Sequence, residues 1–287
     1  MKIVFVIPSY NDWDSLRTLS KQIREVSQKE KWSKVELVIV NDASTEELGN
    51  SPKPFELQST IINLISNQGN QKAIVIGLSY INEQIADYDY IVVMDADGED
   101  KPSDAANLIS QAKKNESKKI VFAIRAKRNE GPFYIFFYTI YKILFKLLAG
   151  ESINLGHFSC VPKNLLKKVL GASGIWTHYV AAIIKSKLSF TTVVCDKGPR
   201  ISGETNQNNN MLVFHDCNRV LIYLYKLIGV TGSRLQTTCT SKAAAALPIN
   251  RAISELKPPP RHKPAKDKNA SPAPMRSSTL VERIGVL

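Results

Sequence analysis

An apolar run that ends in acidic residues constrains the fold of this chain more than any other feature. Residues 90–94 are YIVVM, and four carboxylates follow within six positions: Asp95, Asp97, Glu99 and Asp100. A short, continuously apolar run is typical of a strand buried in a parallel sheet. If the backbone stays extended beyond this run, Asp95 and Asp97 lie on one face of the strand and Glu99 follows them.

Two interpretations of these acids remain open on the residues alone. Oxygen ligands suit Mg2+ or Mn2+, and Mg2+ binds proteins through one or two carboxylates together with substrate phosphates. Asp97-Gly98 is also an ordinary turn sequence, since both residues favour tight-turn backbone conformations. The segment therefore predicts either a divalent metal site or a polar turn after a strand.

Strand and helix patterns alternate along the N-terminal half. Four more apolar runs predict strands, at residues 2–8, 35–42, 60–65 and 119–125. Apolar residues three and four apart predict helices between them, at Leu16, Leu19, Ile23 and Val26 and again at Ala73, Ile76 and Tyr80. This alternation predicts an α/β fold with a mostly parallel central sheet flanked by helices. Ligands of such sheets bind beyond the carboxyl ends of the strands, where Asp12, Asp42, Asp95 and Asp97 are expected to meet.

The composition fits one α/β domain in a reducing compartment. With 287 residues and 44% hydrophobic content, the chain can bury a substantial core. Its four cysteines show no CxxC spacing, so no zinc site is expected and the scattered thiols indicate a reducing environment. The chain opens on a strand pattern and not on a signal sequence, which predicts a cytoplasmic location.

Basic charge is concentrated at the C-terminal end. The net charge is +12, and residues 236–287 contain nine Lys and Arg against three Asp and Glu. This region is also rich in proline and has too few large apolar residues to offset the entropy lost on folding. We therefore expect residues 1–235 to form the folded domain and residues 236–287 to be a basic, disordered tail. Such a tail could touch anionic lipid or RNA, but a solvated tail with no dedicated partner is the more common case.

Residues 132–149 combine many aromatic side chains with two lysines. Lys142 and Lys146 are four apart and so share one helical face, which predicts an amphipathic helix lying in a membrane interface. The alternative is a buried core helix. The segment is at the short end of what spans a bilayer, so a full transmembrane helix is not expected.

Taken in order, these motifs resemble those of family 2 glycosyltransferases with the GT-A (Rossmann-like) fold. The resemblance covers roughly residues 1–232 and is greatest to the polyprenol-phosphate sugar transferases, the group that contains dolichol-phosphate mannose synthase and bacterial undecaprenyl-phosphate glycosyltransferases. Seven motifs carry it, at residues 6–12 (VIPSYND), 38–45 (VIVNDAST), 67–73 (NQGNQKA), 94–102 (MDADGEDKP), 125–128 (RAKR), 156–159 (GHFS) and 200–204 (RISGE).

The resemblance implies roles for particular residues. The nucleotide-sugar site would comprise Pro8, Tyr10, Asp12, Asp42, Lys72 and Asp95, with Asp42 accepting a hydrogen bond from the base. The Mg2+ or Mn2+ ligands would be Asp95, Asp97 and Glu99, and the catalytic residues Asp97, Arg125 and Arg200. Arg125 and Arg128 would grip the acceptor phosphate, because a guanidinium fits phosphate oxygens bidentately.

The lack of an acidic residue in one short segment predicts the kind of acceptor. Relatives that glycosylate a hydroxyl need a general base, commonly an acid, yet residues 174–179 are GIWTHY. A lipid phosphate is already anionic and needs no base, so we expect transfer from a UDP- or GDP-sugar to a polyprenyl phosphate at the cytoplasmic face of the membrane. His178 is an alternative base, although a histidine beside Trp and Tyr is more often a packed polar residue.

Several alternatives and departures from the family stay open. The enzyme could instead glycosylate a hydroxyl of a polysaccharide or glycolipid, or the chain could be a non-catalytic basic protein that binds membrane or nucleic acid. No nucleic-acid recognition motif is present, so a nucleic-acid partner is not expected. Relatives commonly carry Ser-Lys-Tyr after a Gly-x motif, and its lysine binds phosphate. Here Gly203-Glu204 is followed by Thr205, Asn206 and Gln207, so that lysine is missing. Bacterial relatives often continue into two transmembrane helices, whereas a basic tail is expected here. We therefore expect weaker membrane attachment or a membrane partner protein that provides it, and a homo-oligomer stays open.

Overall fold

The computed structural model describes residues 1–48, 55–125, 155–196, 198–201 and 279–284. Eight strands form one sheet in the order β7-β5-β6-β4-β1-β2-β3-β8. Their bounds are β1 Lys2–Ser9, β2 Lys34–Asn41, β3 Gln58–Leu64, β4 Tyr90–Val93, β5 Ile120–Arg125, β6 Ser159–Pro162, β7 Phe190–Cys195 and β8 Thr279–Ile284. Only β6 is antiparallel to its neighbours, β4 and β5. The predicted α/β fold with a mostly parallel sheet is confirmed.

Helices cover both faces of the sheet. They are α1 Trp13–Lys29, α2 Asn70–Gln84, α3 Pro102–Lys114, α4 Leu166–Leu170 and α5 Tyr179–Lys185, with a 3-10 turn at Lys163–Leu165. The alternating side chains of β1 enter two separate cores, because successive strand residues point to opposite faces. Val4 and Val6 pack with α2 and α5, whereas Phe5 packs with α1 and α3.

The α2 helix lies unusually close to β1. A Cβ atom on Gly77 would lie 2.6 Å from Val6 Cγ1, which is closer than non-bonded carbon atoms approach. Glycine at this position therefore lets the helix seat directly on the centre of the sheet. The packing fixes the N-terminus of α2 relative to the ends of β1 and β2.

Two details differ from the sequence prediction. β4 ends at Val93 and a turn begins at Ala96, so Asp95 and Asp97 are not displayed on one strand face as expected. The physical reason is the turn chemistry of Asp97-Gly98, where Gly98 has φ 79°. Within the tail predicted to be disordered, residues 279–284 form β8 and pair in parallel with the edge strand β3. This short stretch, TLVERI, carries β-branched and aliphatic residues that suit a strand, unlike the proline-rich sequence before it.

The membrane prediction falls outside the described residues. Residues 132–149 and Arg128 lie in an undescribed range, and for Arg125 the structure describes the backbone alone. Among the helices that are described, none has both the length and the apolar character needed to cross a bilayer.

Candidate active site

The carboxyl ends of β1, β2 and β4 meet at one edge of the sheet. The chain runs from β1 to β2 on one side, while β4 lies on the other side of β1, so the strand order reverses here. Such a reversal leaves a crevice at which α/β proteins bind ligands. The backbone N–H of Asp42 donates to Ser9 O at 2.8 Å, and that of Met94 donates to Val6 O at 3.2 Å. These bonds hold the loops after the three strands together.

The loop after β1 is fastened to the loop after β2 by Asn11. Its side-chain Oδ1 accepts hydrogen bonds from the backbone N–H groups of Thr45 and Glu46, at 2.9 and 3.1 Å. Asn11 adopts φ 56°, which asparagine tolerates better than most residues. The predicted pocket residues Pro8 and Tyr10 flank this region: Pro8 is buried in β1 and Tyr10 is exposed at the edge.

Asp42 anchors the N-terminus of α2. Its Oδ1 accepts the backbone N–H of Gln68 at 2.6 Å and its Oδ2 accepts that of Gly69 at 2.7 Å. The residue is only 4% exposed, so these bonds compensate for the burial of its charge. Each carboxylate oxygen can accept more than one hydrogen bond, so a base contact stays a prediction. Lys72 Nζ lies nearby, donating to Gln68 Oε1 at 3.0 Å.

Asp95 is a meeting point of three elements. Its Oδ1 accepts a hydrogen bond from Asn70 Nδ2 of α2 at 3.0 Å and lies 2.8 Å from His157 Nε2. Its backbone N–H donates to Asp100 Oδ2 at 3.2 Å. One ligand atom each from Asp95, Asp100 and His157 lies within 4.8 Å of the others, a grouping that suits a divalent cation.

His157 reaches this site through the antiparallel pairing of β4 and β6. Val93 is paired with Ser159, so continuing the same register by two residues brings Asp95 opposite His157. Sequence reasoning noted the motif at 156–159 but assigned His157 no role, and it did not single out Asp100 as a ligand. The antiparallel register of β6, a strand of four residues, is the information it lacked.

Asp97 lies beside this group and is paired with Arg200. Burial first, and then the charge of Asp95, raise the pKa of Asp97 to about 6, while the Glu99 N–H and Arg200 oppose the rise. Arg200 Nη2 lies 3.8 Å from Asp97 Oδ2. Burial also raises the pKa of Asp12, Arg200 lowers it and Asp95 raises it, so these four charges act on one another.

The segment 198–201 closes over the turn that follows β4. Gly198 N–H donates to Glu99 O at 2.8 Å, and Ile201 N–H donates to Asp97 O at 3.0 Å. A Cβ atom on Gly98 would lie 2.3 Å from Ile201 Cδ1, so the two segments fit closely only because residue 98 is glycine. Arg200 Nε is buried and has no hydrogen-bond acceptor within the part of the chain that the structure describes.

The structure brings together some predicted residues and leaves others apart. Asp12, Asp95, Asp97 and Arg200 lie close together, but Asp97, a predicted metal ligand, does not belong to the group of three close ligand atoms found among the described residues. Glu99 is not in the group of three close ligand atoms found among the described residues; its N–H donates to Asp97 Oδ1 at 2.9 Å and stabilises the turn. His178 caps α5, since its Nδ1 accepts the Ala181 N–H at 3.4 Å.

Comparisons with known proteins agree with this architecture. The family model "Glycosyl transferase family 2" matches residues 4–170. The chain is 27% identical over 179 residues to undecaprenyl-phosphate 4-deoxy-4-formamido-L-arabinose transferase of Proteus mirabilis (strain HI4320), covering 60% of this chain and 51% of that protein. The chain therefore spans about half the length of this curated relative.

Two solved structures show the same fold at low sequence identity. Mannosyl-3-phosphoglycerate synthase from Rubrobacter xylanophilus has a TM-score of 0.57 at 12% identity, covering 81% of this chain and 76% of its own. Glucosyl-3-phosphoglycerate synthase from Mycobacterium tuberculosis, solved with Mn2+ and UDP-glucose, has a TM-score of 0.55 at 14% identity, covering 81% and 80%. These neighbours confirm the predicted GT-A fold. Since the family model covers more than half of the chain, the protein belongs to glycosyl transferase family 2.

Proposed function

We propose that this glycosyltransferase is metal-dependent and inverting, and that it transfers a sugar from a UDP- or GDP-sugar to a polyprenyl phosphate. The observation that supports binding of the nucleotide-sugar donor is the group of acidic residues after β4, which Arg200 faces. Asp95 and Asp100 would hold Mg2+ or Mn2+ with Asp97 beside them, and the bound ion would neutralise charge on the departing nucleoside diphosphate.

Arg200 supports donor binding through its position. Its guanidinium faces Asp97 and its Nε is buried without an acceptor among the described residues. A buried donor of this kind costs free energy until it meets an acceptor, and a diphosphate oxygen would supply one. We infer that Arg200 contacts the donor diphosphate, while Asp42 and the loops after β1 and β2 hold the nucleoside.

Two arguments support a polyprenyl phosphate as the acceptor: the activity in the name of one relative and the lack of a general base. The Proteus mirabilis protein is an undecaprenyl-phosphate sugar transferase by name. In this chain residues 174–179 contain no acid, and the one histidine there caps a helix. A phosphate oxygen attacks an anomeric carbon without a general base, so the lack of an acid is compatible with a phosphate acceptor. Arg125 and Arg128 are proposed to hold that phosphate.

We further propose that residues 132–149 dock on the cytoplasmic face of the membrane. The test replaces Phe136 and Phe137 with serine. Transfer to long-chain polyprenyl phosphate in liposomes should fall more than transfer to a short, water-soluble analogue, because only the former requires docking. Binding to anionic liposomes should also weaken as salt rises, since each lysine near anionic lipid contributes about 1 kcal/mol. Equal losses on both acceptors would assign the segment to the protein core.

The donor proposal is tested by a screen of nucleotide sugars. A donor that binds the folded state raises the melting temperature, and a concentration of about 100 times Kd stabilises by about 2.7 kcal/mol. We expect UDP- or GDP-sugars to stabilise the protein with Mg2+ or Mn2+ and much less with chelator. Asp97→Ala should lose both this effect and turnover. Asp87→Ala should retain them, because Asp87 is an exposed carboxylate that pairs with Lys2 at the opposite edge of the sheet. An equal rise in melting temperature with and without chelator would contradict the role of the metal in donor binding.

A further inference from the structure

The imidazole of His157 lies at the proposed cation site, where the sequence indicated oxygen ligands alone. His157 and Asp95 come from adjacent segments whose relation is fixed by four pairs of the β4–β6 ladder. The ring is half-buried, and its Nε2 lies 2.8 Å from Asp95 Oδ1. Backbone pairing and not a surface side-chain rotamer therefore brings the nitrogen to this place.

The spacing of the atoms is compatible with one coordination shell. In an octahedral site with ligands at about 2.1 Å, neighbouring ligand atoms are about 3.0 Å apart and opposite ones about 4.2 Å apart. The contact between His157 and Asp95 is close to the first separation. Asp100 is also near, since the three ligand atoms all lie within 4.8 Å of one another. Small side-chain adjustments would suffice for one ion to contact all three.

A nitrogen ligand changes which cation such a site prefers. Mg2+ strongly favours oxygen ligands and retains its waters, whereas imidazole suits transition-metal ions. Carboxylate ligands suit Mn2+ as well as Mg2+. A mixed set of two carboxylates and one imidazole should therefore bind Mn2+ in preference to Mg2+.

We propose that His157 Nε2 is a direct metal ligand and makes the site selective for Mn2+ over Mg2+. This proposal rests on the metal-dependent donor binding of the proposed function. The competing role for His157 is to orient Asp95 through a hydrogen bond without touching the ion. Direct ligation gives an imidazole nitrogen a contact coupling to the electron spin of Mn2+, whereas a nitrogen that does not touch the ion has only a weak dipolar coupling.

The test is pulsed electron paramagnetic resonance of Mn2+ bound to the protein with UDP. Protein carrying 15N-labelled histidine is compared with unlabelled protein, so nitrogen signals from the nucleotide do not interfere. We expect a histidine nitrogen modulation with contact coupling in the wild type, and its loss in His157→Asn. The modulation should persist in the control His178→Asn, because asparagine can still cap α5.

Affinity measurements give a second readout. In His157→Asn the Mn2+ dissociation constant should rise at least about tenfold, because loss of even an outer-shell partner of a metal ligand costs about ten to a hundredfold, with a smaller change for Mg2+. If His157→Asn does not fold, a variant with His157 as its only histidine, made by changing His178, His215 and His262 to asparagine, should keep the modulation.

The outcomes separate this proposal from the proposed function. Mn2+ binding without a contact-coupled histidine modulation, or such a modulation that survives in His157→Asn, would overturn the ligand assignment and leave metal-dependent donor binding intact. Failure of Mn2+ and Mg2+ to bind at all, with or without UDP, would overturn both.

Discussion

Arg200 Nη2 lies 3.8 Å from Asp97 Oδ2, so the guanidinium of the segment 198–201 faces the acid that follows β4. Burial raises the pKa of Asp12, the residue that precedes the first helix, and the charge of the same arginine opposes that rise. One cation thus lies among carboxylates contributed by the ends of two strands. We interpret this arrangement as a site built for an anionic ligand accompanied by a cation.

Replacing Arg200 by lysine tests the role of the guanidinium fork. Lysine keeps the charge but cannot contact two phosphate oxygens in one plane, so donor affinity should fall by about 1–3 kcal/mol. Titration calorimetry with UDP and Mn2+ measures the loss. The control is Arg24→Lys, whose exposed pair with Glu56 should contribute little. Equal nucleotide affinity in both variants would remove Arg200 from the donor site.

Asp97 should make the metal-free protein less stable as the pH rises. Its pKa is raised from 3.8 to about 6, so the folded state binds the proton more tightly than the unfolded state does. The stability due to this proton is fully present below about pH 4 and is lost as the pH rises through about 6. Asp97→Asn should therefore stabilise the apoprotein by about 2–3 kcal/mol at pH 7.5 and much less at pH 4.

Denaturant unfolding in chelator at several pH values measures this effect. Asp14→Asn serves as a control, because its exposed carboxylate lies on α1 in a pair with Arg17. A difference between Asp97→Asn and wild type that does not change between pH 4 and pH 7.5 would contradict the raised pKa.

Asp42→Asn should weaken both the fold and nucleotide binding. An asparagine side chain would turn an NH2 group toward one of the two backbone N–H groups that the carboxylate now satisfies. Leaving a buried donor unsatisfied costs about 1–3 kcal/mol of unfolding free energy. If Asp42 also accepts from the base, nucleotide affinity falls by a similar amount. Calorimetry below the melting temperature of the variant separates the two: a loss of stability alone would leave Asp42 a purely structural residue.

Gly98→Ala should displace the segment 198–201. Alanine at φ 79° costs about 1–2 kcal/mol, and its Cβ would collide with Ile201. Turnover should fall because Arg200 moves with that segment. The double variant Gly98→Ala with Ile201→Ala removes the collision but not the backbone strain, so part of the turnover should return. Wild-type turnover in Gly98→Ala would show that the closure of 198–201 is not needed.

The sequence predicted the parallel strands β1 to β5 and the helix α1 well, because the hydrophobic patterns that indicate them lie within short, continuous segments. Continuous apolar runs correspond to β1, β2, β3, β4 and β5, and the spacing of Leu16, Leu19 and Ile23 corresponds to α1. Acids placed directly after such strands meet because parallel strands end at the same edge. For this reason the expected proximity of Asp12, Asp95 and Asp97 is found in the structure, while their roles stay predictions.

The remaining features depend on pairing between distant segments. β6 is four residues long and antiparallel, so no local pattern indicated that His157 would lie opposite Asp95. The pairing of β8 with β3 joins residues more than 200 positions apart in the chain. The hydrogen bonds from Gln68 and Gly69 to Asp42 likewise require the packing of α2 on β1. The local sequence around each of these residues does not indicate which distant segment it pairs with.

Metal-dependent transfer to a polyprenyl phosphate is tested most directly by the product formed from undecaprenyl phosphate and a donor identified by thermal stabilisation. We predict a lipid-linked sugar whose formation requires Mn2+ or Mg2+ and is lost in Asp97→Ala but not in Asp87→Ala. Its sugar-phosphate linkage should be cleaved by mild acid, releasing free sugar. A product that survives mild acid, or one that forms equally well in chelator, would contradict metal-dependent transfer to a polyprenyl phosphate.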